Sequence, residues 1–248
     1  MTDLKPILTG GNKPYIEGHR GAPTLCPENT ISAFNKAVEV KADLIEIDVQ
    51  LSKDNEIVVF HDEKLDKKSD GTGFLRDYTL SELQRLDVGS WFSPAFTGER
   101  MPTLEEVLDW GKGKIWLSIE LKNIENSKHL LVKKAVELVQ SYAMEEQVQI
   151  ISFNHDMLAQ VRKYSKTIMT SAITPCRLVD PVKYLKSFDA QVLNGPGEYL
   201  TKELVDEIHH AGLYVNGGMV NDIELWKKLE GYGVDLMCTN LPETMKGE

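Results

Sequence analysis

The sequence alternates short β-rich runs with longer amphipathic helical patterns along most of its length. This alternation is typical of a parallel α/β fold, because a helix usually carries the chain back to the start of the next parallel strand. We predict nine strands, at residues 15–18, 43–49, 56–61, 115–121, 148–153, 168–173, 190–193, 213–217 and 234–239.

One connection is too short for this alternation. Only residues 50–55 separate the second and third predicted strands, whereas a parallel crossover needs about a dozen residues or more. The two strands are therefore predicted to form an antiparallel hairpin. Its turn is Lys53-Asp54-Asn55, and Asp and Asn tolerate the backbone of a tight turn.

Without the return strand 56–61, eight parallel strands remain in a chain of 248 residues. A TIM (β/α)8 barrel has eight such strands and typically takes about 250 residues. We therefore predict an α/β fold of this type as a single domain over residues 1–248. The residues from about 63 to 102 would form a small insertion after the second barrel strand and its return hairpin.

Several of the predicted helices have recognisable starts. Thr79-x-x-Glu82 and Thr103-x-x-Glu106 are capping boxes, in which each side chain satisfies a free backbone N–H group of the other residue. Asn29 or Thr30 is predicted to cap the first barrel helix. Residues 127–142 carry a broad apolar stripe that we expect to pack on the sheet.

The composition argues against several classes of partner and location. The net charge of −10 argues against a nucleic-acid partner, which would need a basic face. The three cysteines contain no CxxC pair, so neither a zinc site nor a disulfide framework is predicted. The first residues lack the apolar region of a signal peptide, and no run reaches the ~18 apolar residues of a membrane span. We predict a cytoplasmic protein without a membrane span and make no prediction about its oligomeric state.

Two carboxylates lie on one face of the second strand. Residues two apart in a strand point the same way, so Glu46 and Asp48 are neighbours. Taken alone, the pattern favours an amphipathic strand with its acidic face in water. A barrel strand, however, meets bulk solvent only at its carboxyl end, and two adjacent buried carboxylates need a cation or a proton to neutralise them.

The hairpin and the next strand add further groups. With the turn centred near Asp54, either Glu46 or Asp48 would face His61, which therefore lies beside the carboxylates. A lone histidine that ends an apolar strand is more often structural. Glu120 and Lys122 share a face of the third barrel strand, for which an external salt bridge is the simpler interpretation.

Together with His19-Arg20, these residues gather at the carboxyl ends of the first strands. Three carboxylates suit Mg²⁺ or Ca²⁺ rather than zinc, which would take His or Cys. Arg20 and Lys122 would bind a phosphate, and two histidines can act as general base and general acid near pH 7. The residues thus predict metal-assisted phosphodiester cleavage.

The chain also resembles the glycerophosphodiester phosphodiesterases over nearly its full length. The order and spacing of several short motifs carry this resemblance. These motifs are His19-Arg20-Gly21, Pro27-Glu28-Asn29-Thr30, Glu46-x-Asp48-Val49, His61-Asp62, Gly71-x-Gly73, Met101-Pro102-Thr103-Leu104, Glu120-Leu121-Lys122, Ser152-Phe153 and Thr239-Asn240-x-Pro242.

The resemblance implies a TIM barrel that hydrolyses glycerophosphodiesters to sn-glycerol 3-phosphate and an alcohol, through a cyclic phosphate. It implies His19 and His61 as the acid–base pair and Arg20 and Lys122 as ligands of the phosphate. It also implies one divalent cation, Mg²⁺ or Ca²⁺. The cation ligands would be Glu46, Asp48 and Glu120.

The chain departs from the family pattern at two places. The segment Gly218-Met219-Val220-Asn221 has no tryptophan where family members often have one, so Met219, together with Phe153, is predicted to wall the glycerol or the leaving group. Asn240 is an amide where the family has a carboxylate. Neither departure is expected to contact the metal or the histidines, so we expect hydrolysis to survive.

Two alternatives remain. One is a phospholipase D-like phosphodiester lyase, which would stop at the cyclic phosphate. The lyases of this kind are secreted and disulfide-bonded, whereas neither a signal peptide nor a disulfide framework is predicted for this chain. The other is a non-catalytic protein that binds glycerophosphodiesters, which should have lost a histidine or a carboxylate. All five of these residues are present.

Overall fold

A closed barrel of eight parallel strands forms the centre of the molecule in the computed structural model, which describes residues 14–122 and 128–245. The ring runs β1–β2–β4–β5–β6–β7–β8–β9, and β9 pairs again with β1. This is the predicted TIM barrel. The strands are β1 Tyr15–Gly18, β2 Leu44–Leu51, β3 Ile57–Val59, β4 Trp116–Leu121, β5 Val148–Ser152, β6 Met169–Ile173, β7 Val192–Pro196, β8 Tyr214–Gly218 and β9 Leu236–Thr239.

Helices connect most of the barrel strands on the outside. Thr30, rather than Asn29, caps the first helix by accepting a hydrogen bond from the Ala33 amide. Both predicted capping boxes form. The helices are α1 Ile31–Glu39, α2 Leu80–Leu83, α3 Leu104–Gly111, α4 Lys128–Ser141, α5 His155–Tyr164, α6 Pro181–Lys186, α7 Lys202–His210, α8 Ile223–Tyr232 and α9 Pro242–Met245.

Several predicted boundaries were wrong by one or more residues. The strand predicted at 190–193 is Val192–Pro196, and the helix predicted at 127–142 is Lys128–Ser141, with residue 127 outside the described residues. No helix in the described ranges is both long and apolar enough to cross a membrane.

The hairpin exists, but its register is one residue away from both predicted alternatives. β3 is antiparallel to β2, with Val49 opposite Val59 and Leu51 opposite Ile57, so neither Glu46 nor Asp48 is directly opposite His61. The strand is also shorter than predicted, because Phe60 donates the last backbone hydrogen bond of the pair, to the Asp48 carbonyl. His61 thus leaves the strand and is free to turn toward the barrel axis.

The segment from Glu63 to Pro102 packs on a small apolar cluster of its own. It contains α2 and two short 3₁₀ turns, Leu75–Asp77 and Pro94–Phe96. The segment is attached to the barrel because two members of the cluster come from β3 and the residue that follows it. The buried members are Val58, Phe60, Leu65, Leu75, Leu83, Val88 and Met101.

The two ends of the barrel interior differ in chemistry. An apolar plug closes the amino-terminal end, where Leu44, Val192 and Leu236 are buried against large rings such as Trp116 and Tyr214. Buried polar side chains lie closer to the carboxyl ends of the strands. In TIM barrels the carboxyl end is the catalytic face, so the polar side chains of this molecule lie where chemistry is expected.

Candidate active site

The loop after β1 presents His19 and Arg20 at the mouth of the barrel. Its backbone turns sharply, with Arg20 at φ 53° and Gly21 at φ 96°. A Cβ added to Gly21 would come within 2.8 Å of the Ala33 backbone in α1. Glycine is therefore required at this position both for its conformation and for close packing against the helix.

The stagger between β1 and β2 carries two carboxylates past the end of β1, at the catalytic end of the barrel. β1 ends at Gly18, which pairs with Ile45, so Glu46 and Asp48 extend beyond the end of β1. On the other side of β2, Asp48 pairs directly with Glu120 of β4. Glu46, Asp48 and Glu120 each offer an oxygen within 4.8 Å of the others, as predicted for a cation site.

Burial and mutual repulsion make this acidic cluster costly without a positive charge. Burial, with added repulsion from Asp48 and Glu120, raises the pKa of Glu46 well above its usual value. Burial and the charge of Asp48 likewise raise the pKa of Glu120. The Oε1 atom of Glu46 is buried without a hydrogen-bond partner. An unpartnered carboxylate oxygen in an all-oxygen cluster fits a hard divalent cation.

Asp48 differs from its neighbours because two cations contact it. Lys122 Nζ lies 3.2 Å from Asp48 Oδ1 and 2.8 Å from Glu120 Oε1. Arg20 Nε lies 3.1 Å from Asp48 Oδ2, although the N–H group is not aligned for a hydrogen bond. Burial works to raise the pKa of Asp48, but Lys122 and Arg20 lower it overall. Asp48 therefore carries a full negative charge at neutral pH.

The His19 ring is oriented by Asn240. Its Nδ1 atom lies 2.7 Å from Asn240 Oδ1, and its Nε2 atom lies 3.9 Å from Glu46 Oε2. Burial and the charge of Arg20 lower the pKa of His19 to about 4. The prediction that Asn240 contacts neither histidine is wrong, because β9 is the barrel neighbour of β1 and brings residue 240 beside residue 19.

The second histidine has a carboxylate as its partner. His61 Nδ1 lies 2.7 Å from Asp62 Oδ1. The buried Gln50 holds this segment in place, since its side-chain amide donates to the carbonyls of Phe60 and Asp62 at 2.7 and 2.9 Å. His61 is thereby fixed at the cavity although it lies beyond the end of β3.

A cavity of about 470 Å³ joins these groups. One side is polar and contains both histidines. The opposite side is largely apolar and includes Phe153, which is 56% exposed, and Met219. A larger groove of about 720 Å³ lies on the outside near Phe96 and Trp110 and has neither histidine in its lining. Eight of the nine predicted site residues line the smaller cavity, and the ninth, Asp48, is buried behind its wall.

The sequence reasoning missed several supporting residues. Asn29, at φ 58°, donates from Nδ2 to Asp48 Oδ2 at 2.8 Å. Glu28 accepts from Arg20 Nη1 at 2.8 Å. Both belong to the motif Pro27-Glu28-Asn29-Thr30, from which the sequence predicts a helix start and a family resemblance but no contact with the site residues. Glu17 was also missed: it is buried in the cavity floor, where Asn216 Nδ2 donates to it at 2.7 Å.

Comparisons with known proteins agree with this geometry. A sequence profile of the Glycerophosphoryl diester phosphodiesterase family matches residues 19–244. A glycerophosphodiester phosphodiesterase of Caldanaerobacter subterraneus is 36% identical over 234 residues, which cover 94% of this chain and 96% of that protein. One of Bacillus altitudinis is 34% identical over 232 residues, which cover 92% and 95%.

Solved structures give the same result. A phosphodiesterase of Oleispira antarctica, described in complex with the product sn-glycerol-3-phosphate, is 28% identical with a TM-score of 0.89 and covers 94% of this chain and 96% of that one. A glycerophosphodiester phosphodiesterase of Agrobacterium tumefaciens is 26% identical with a TM-score of 0.83 and covers 94% and 98%. The chain therefore belongs to the glycerophosphoryl diester phosphodiesterase family of enzymes.

Proposed function

We propose that this enzyme hydrolyses glycerophosphodiesters to sn-glycerol 3-phosphate and an alcohol in a metal-dependent reaction. The observation that carries the proposal is the meeting of a buried three-carboxylate cluster and two histidines at one cavity. The Oleispira antarctica relative, with its product sn-glycerol-3-phosphate, supports the substrate class.

Glu46, Asp48 and Glu120 would hold the cation. Oxygen ligands alone favour Mg²⁺ or Ca²⁺. When bound, such an ion neutralises the negative charge that develops on the phosphate oxygens. The unpartnered Oε1 atom of Glu46 supports this assignment.

Arg20 and Lys122 bind the phosphate. Both side chains line the cavity, and each already contacts Asp48. A guanidinium offers two parallel donors, so Arg20 orients the phosphate. An ammonium offers a point charge, so Lys122 compensates the negative charge of the phosphate.

His19 and His61 exchange protons with the substrate in the first step. His19 Nε2 takes the proton of the glycerol 2-hydroxyl while that oxygen attacks phosphorus, and a cyclic phosphate forms. The bond between phosphorus and the leaving alcohol breaks, and His61 donates a proton to that alcohol. The assignment follows from the partners: a carboxylate such as Asp62 stabilises a protonated ring, and an amide such as Asn240 does so less.

The second step reverses these roles. His61 takes a proton from water while the water oxygen attacks phosphorus, and the bond to the glycerol 2-oxygen breaks. His19 returns its proton to that oxygen. Both histidines regain their starting states, and each has served once as base and once as acid.

Phe153 and Met219 form part of the apolar wall against the carbon skeleton of the substrate. Both line the cavity on the side away from the acidic cluster. An apolar face opposite a charged one suits a substrate with a phosphate at one end and carbon atoms at the other.

The test is turnover of glycerophosphocholine, glycerophosphoethanolamine and glycerophosphoglycerol, with sn-glycerol 3-phosphate measured enzymatically and all phosphorus species followed by ³¹P NMR. We expect sn-glycerol 3-phosphate, and no release after chelation until Mg²⁺ or Ca²⁺ is restored. A cyclic phosphate as the end product would favour the lyase. Binding without turnover would favour the non-catalytic alternative.

The cytoplasmic location, the single domain and the lack of a nucleic-acid partner stay predictions.

A further inference from the structure

We propose that Lys68, in the segment between β3 and α3, is a positioning residue that acts on the substrate phosphate through Glu28 and Arg20. The inference rests on the proposed function, in which Arg20 binds that phosphate. Lys68 itself is not among the residues that line the cavity, so its effect would be indirect.

A chain of alternating charges connects Lys68 with the acidic cluster. Lys68 Nζ lies 2.5 Å from Glu28 Oε2, and Arg20 Nη1 lies 2.8 Å from the other oxygen, Glu28 Oε1. On its far side, Arg20 Nε lies 3.1 Å from Asp48 Oδ2. The side chains of Glu28 and Arg20 are only 12% and 14% exposed, so solvent screens these contacts weakly.

The position of Arg20 between two carboxylates gives Lys68 its importance. If Glu28 lacked a second cation, its full negative charge would act on Arg20, which also faces Asp48, and the guanidinium would offer less net attraction to a phosphate. Lys68 compensates the charge of Glu28, so that part of the charge of Arg20 stays available to the substrate. Lys68 also holds one oxygen of Glu28 and thereby fixes the other oxygen toward Arg20.

The segment holds Lys68 by contacts on both the backbone and the side chain. The Lys68 amide donates to the carbonyl of Leu65, a buried member of the apolar cluster of this segment. The ammonium lies 5.3 Å from the centre of the Trp91 ring, whose Nε1 donates to the Val88 carbonyl at 2.8 Å. A cation over an aromatic face is held electrostatically. The insertion would thus contribute to catalysis although the Lys68 side chain itself stays behind Glu28.

The experiment compares Lys68→Met with Lys67→Met, which removes the charge of the exposed neighbouring lysine. Because residues that orient a ligand-binding side chain typically matter by 10–100-fold, we expect Lys68→Met to lower kcat/KM for glycerophosphocholine by about 10-fold. Lys67→Met should stay near the wild-type value. Lys68→Arg, which keeps the charge, should recover most of the loss.

A double-mutant cycle separates positioning from a general effect on stability. If Lys68 acts through Glu28, Lys68→Met should have little further effect in a Glu28→Gln background, whereas independent effects would add. Equal losses in both backgrounds, or a Lys68→Met protein with wild-type kcat/KM, would overturn the inference. Lys68→Gln is measured in parallel in case the methionine variant does not fold.

The affinity for inorganic phosphate, measured by calorimetry in the presence of Mg²⁺, keeps this test distinct from that of the proposed function. We expect Lys68→Met to weaken phosphate binding and Lys67→Met to leave it unchanged. A wild-type protein that turns over no glycerophosphodiester would overturn the proposed function. Lys68 would then be judged on phosphate affinity alone, and an unchanged affinity in Lys68→Met would overturn the inference too.

Discussion

The two site histidines differ in the residue that orients each ring. Asn240 accepts from His19 without adding a charge, whereas Asp62 places a carboxylate against His61. Burial and the charge of Arg20 lower the pKa of His19 to about 4, and the hydrogen bond to the neutral Asn240 offsets them only in part. A histidine with so low a pKa is uncharged at neutral pH and ready to accept a proton, which is the state that a general base needs.

We expect His19→Ala to lower kcat by about 10²–10⁴-fold, because the reaction loses one of its two proton-transfer partners. Steady-state kinetics with glycerophosphocholine would measure the loss. His210→Ala is a matched control, since His210 lies on the exposed face of α7 and should keep wild-type turnover. A His19→Ala protein with full turnover would contradict the acid–base assignment.

Asn240→Asp should make the enzyme less active in acid. A carboxylate beside Nδ1 would raise the pKa of His19, so the ring would hold its proton at a pH where the wild-type ring is neutral. The acidic limb of the pH profile of kcat/KM should therefore move to higher pH. Asp222→Asn, at the exposed cap of α8, should leave the limb in place. An unmoved limb in Asn240→Asp would count against His19 as the base.

At the scale of elements, the loop between β1 and α1 carries the strictest backbone requirement near the site. Gly21→Ala would force alanine into a left-handed conformation and against the Ala33 backbone. We expect a loss of about 3 kcal/mol in the free energy of unfolding, the sum of the backbone cost and overpacking. Denaturant titration would measure it.

Gly98 offers a control that separates the two contributions. It also has a left-handed backbone, at φ 89°, but a Cβ there meets no atom within 4 Å. Gly98→Ala should therefore cost only about 1–2 kcal/mol. Equal losses in the two variants would show that packing against α1 is unimportant.

For the whole molecule, the acidic cluster couples stability to pH and to cations. The folded-state pKa of Glu46 lies well above the usual glutamate value of 4.5. This proton therefore stabilises the fold fully below pH 4.5, and that contribution is lost as the pH rises through the folded-state pKa. A bound cation should restore stability at neutral pH, by about 2.7 kcal/mol at 100 times its dissociation constant.

Glu46→Gln tests this coupling by thermal denaturation of the chelated protein between pH 5 and 8. We expect the midpoint temperature of Glu46→Gln to rise relative to that of the wild type as the pH increases, because the variant lacks a carboxylate that its neighbours repel. It should also lose the stabilisation by Mg²⁺ or Ca²⁺ together with activity. Glu207→Gln, at an exposed position of α7, should show neither change. If neither cation changed the midpoint temperature of the wild-type protein, the cation site would be contradicted.

Local patterns were sufficient to predict the fold class and most of the candidate side chains that meet at the cavity. Eight barrel strands and one short hairpin were predicted from the lengths of the connections and from side-chain alternation. The three carboxylates and two histidines were selected as candidates because they lie near the carboxyl ends of strands. These features depend only on residues that are close in the chain, because the backbone of a strand or helix sets the directions of neighbouring side chains. The exact bounds of the strands were less predictable, because they depend on hydrogen bonds to distant segments.

Only the tertiary structure decided which distant residues touch. The pairing of Asp48 with Glu120 depends on the stagger of β2 against β4, and the departure of His61 from the hairpin depends on where β3 ends. Barrel closure brings Asn240 to His19 across 221 residues of sequence, and the folded insertion brings Lys68 to Glu28. The physical reason is that local periodicity determines the face of a side chain, whereas register, closure and packing determine its partner.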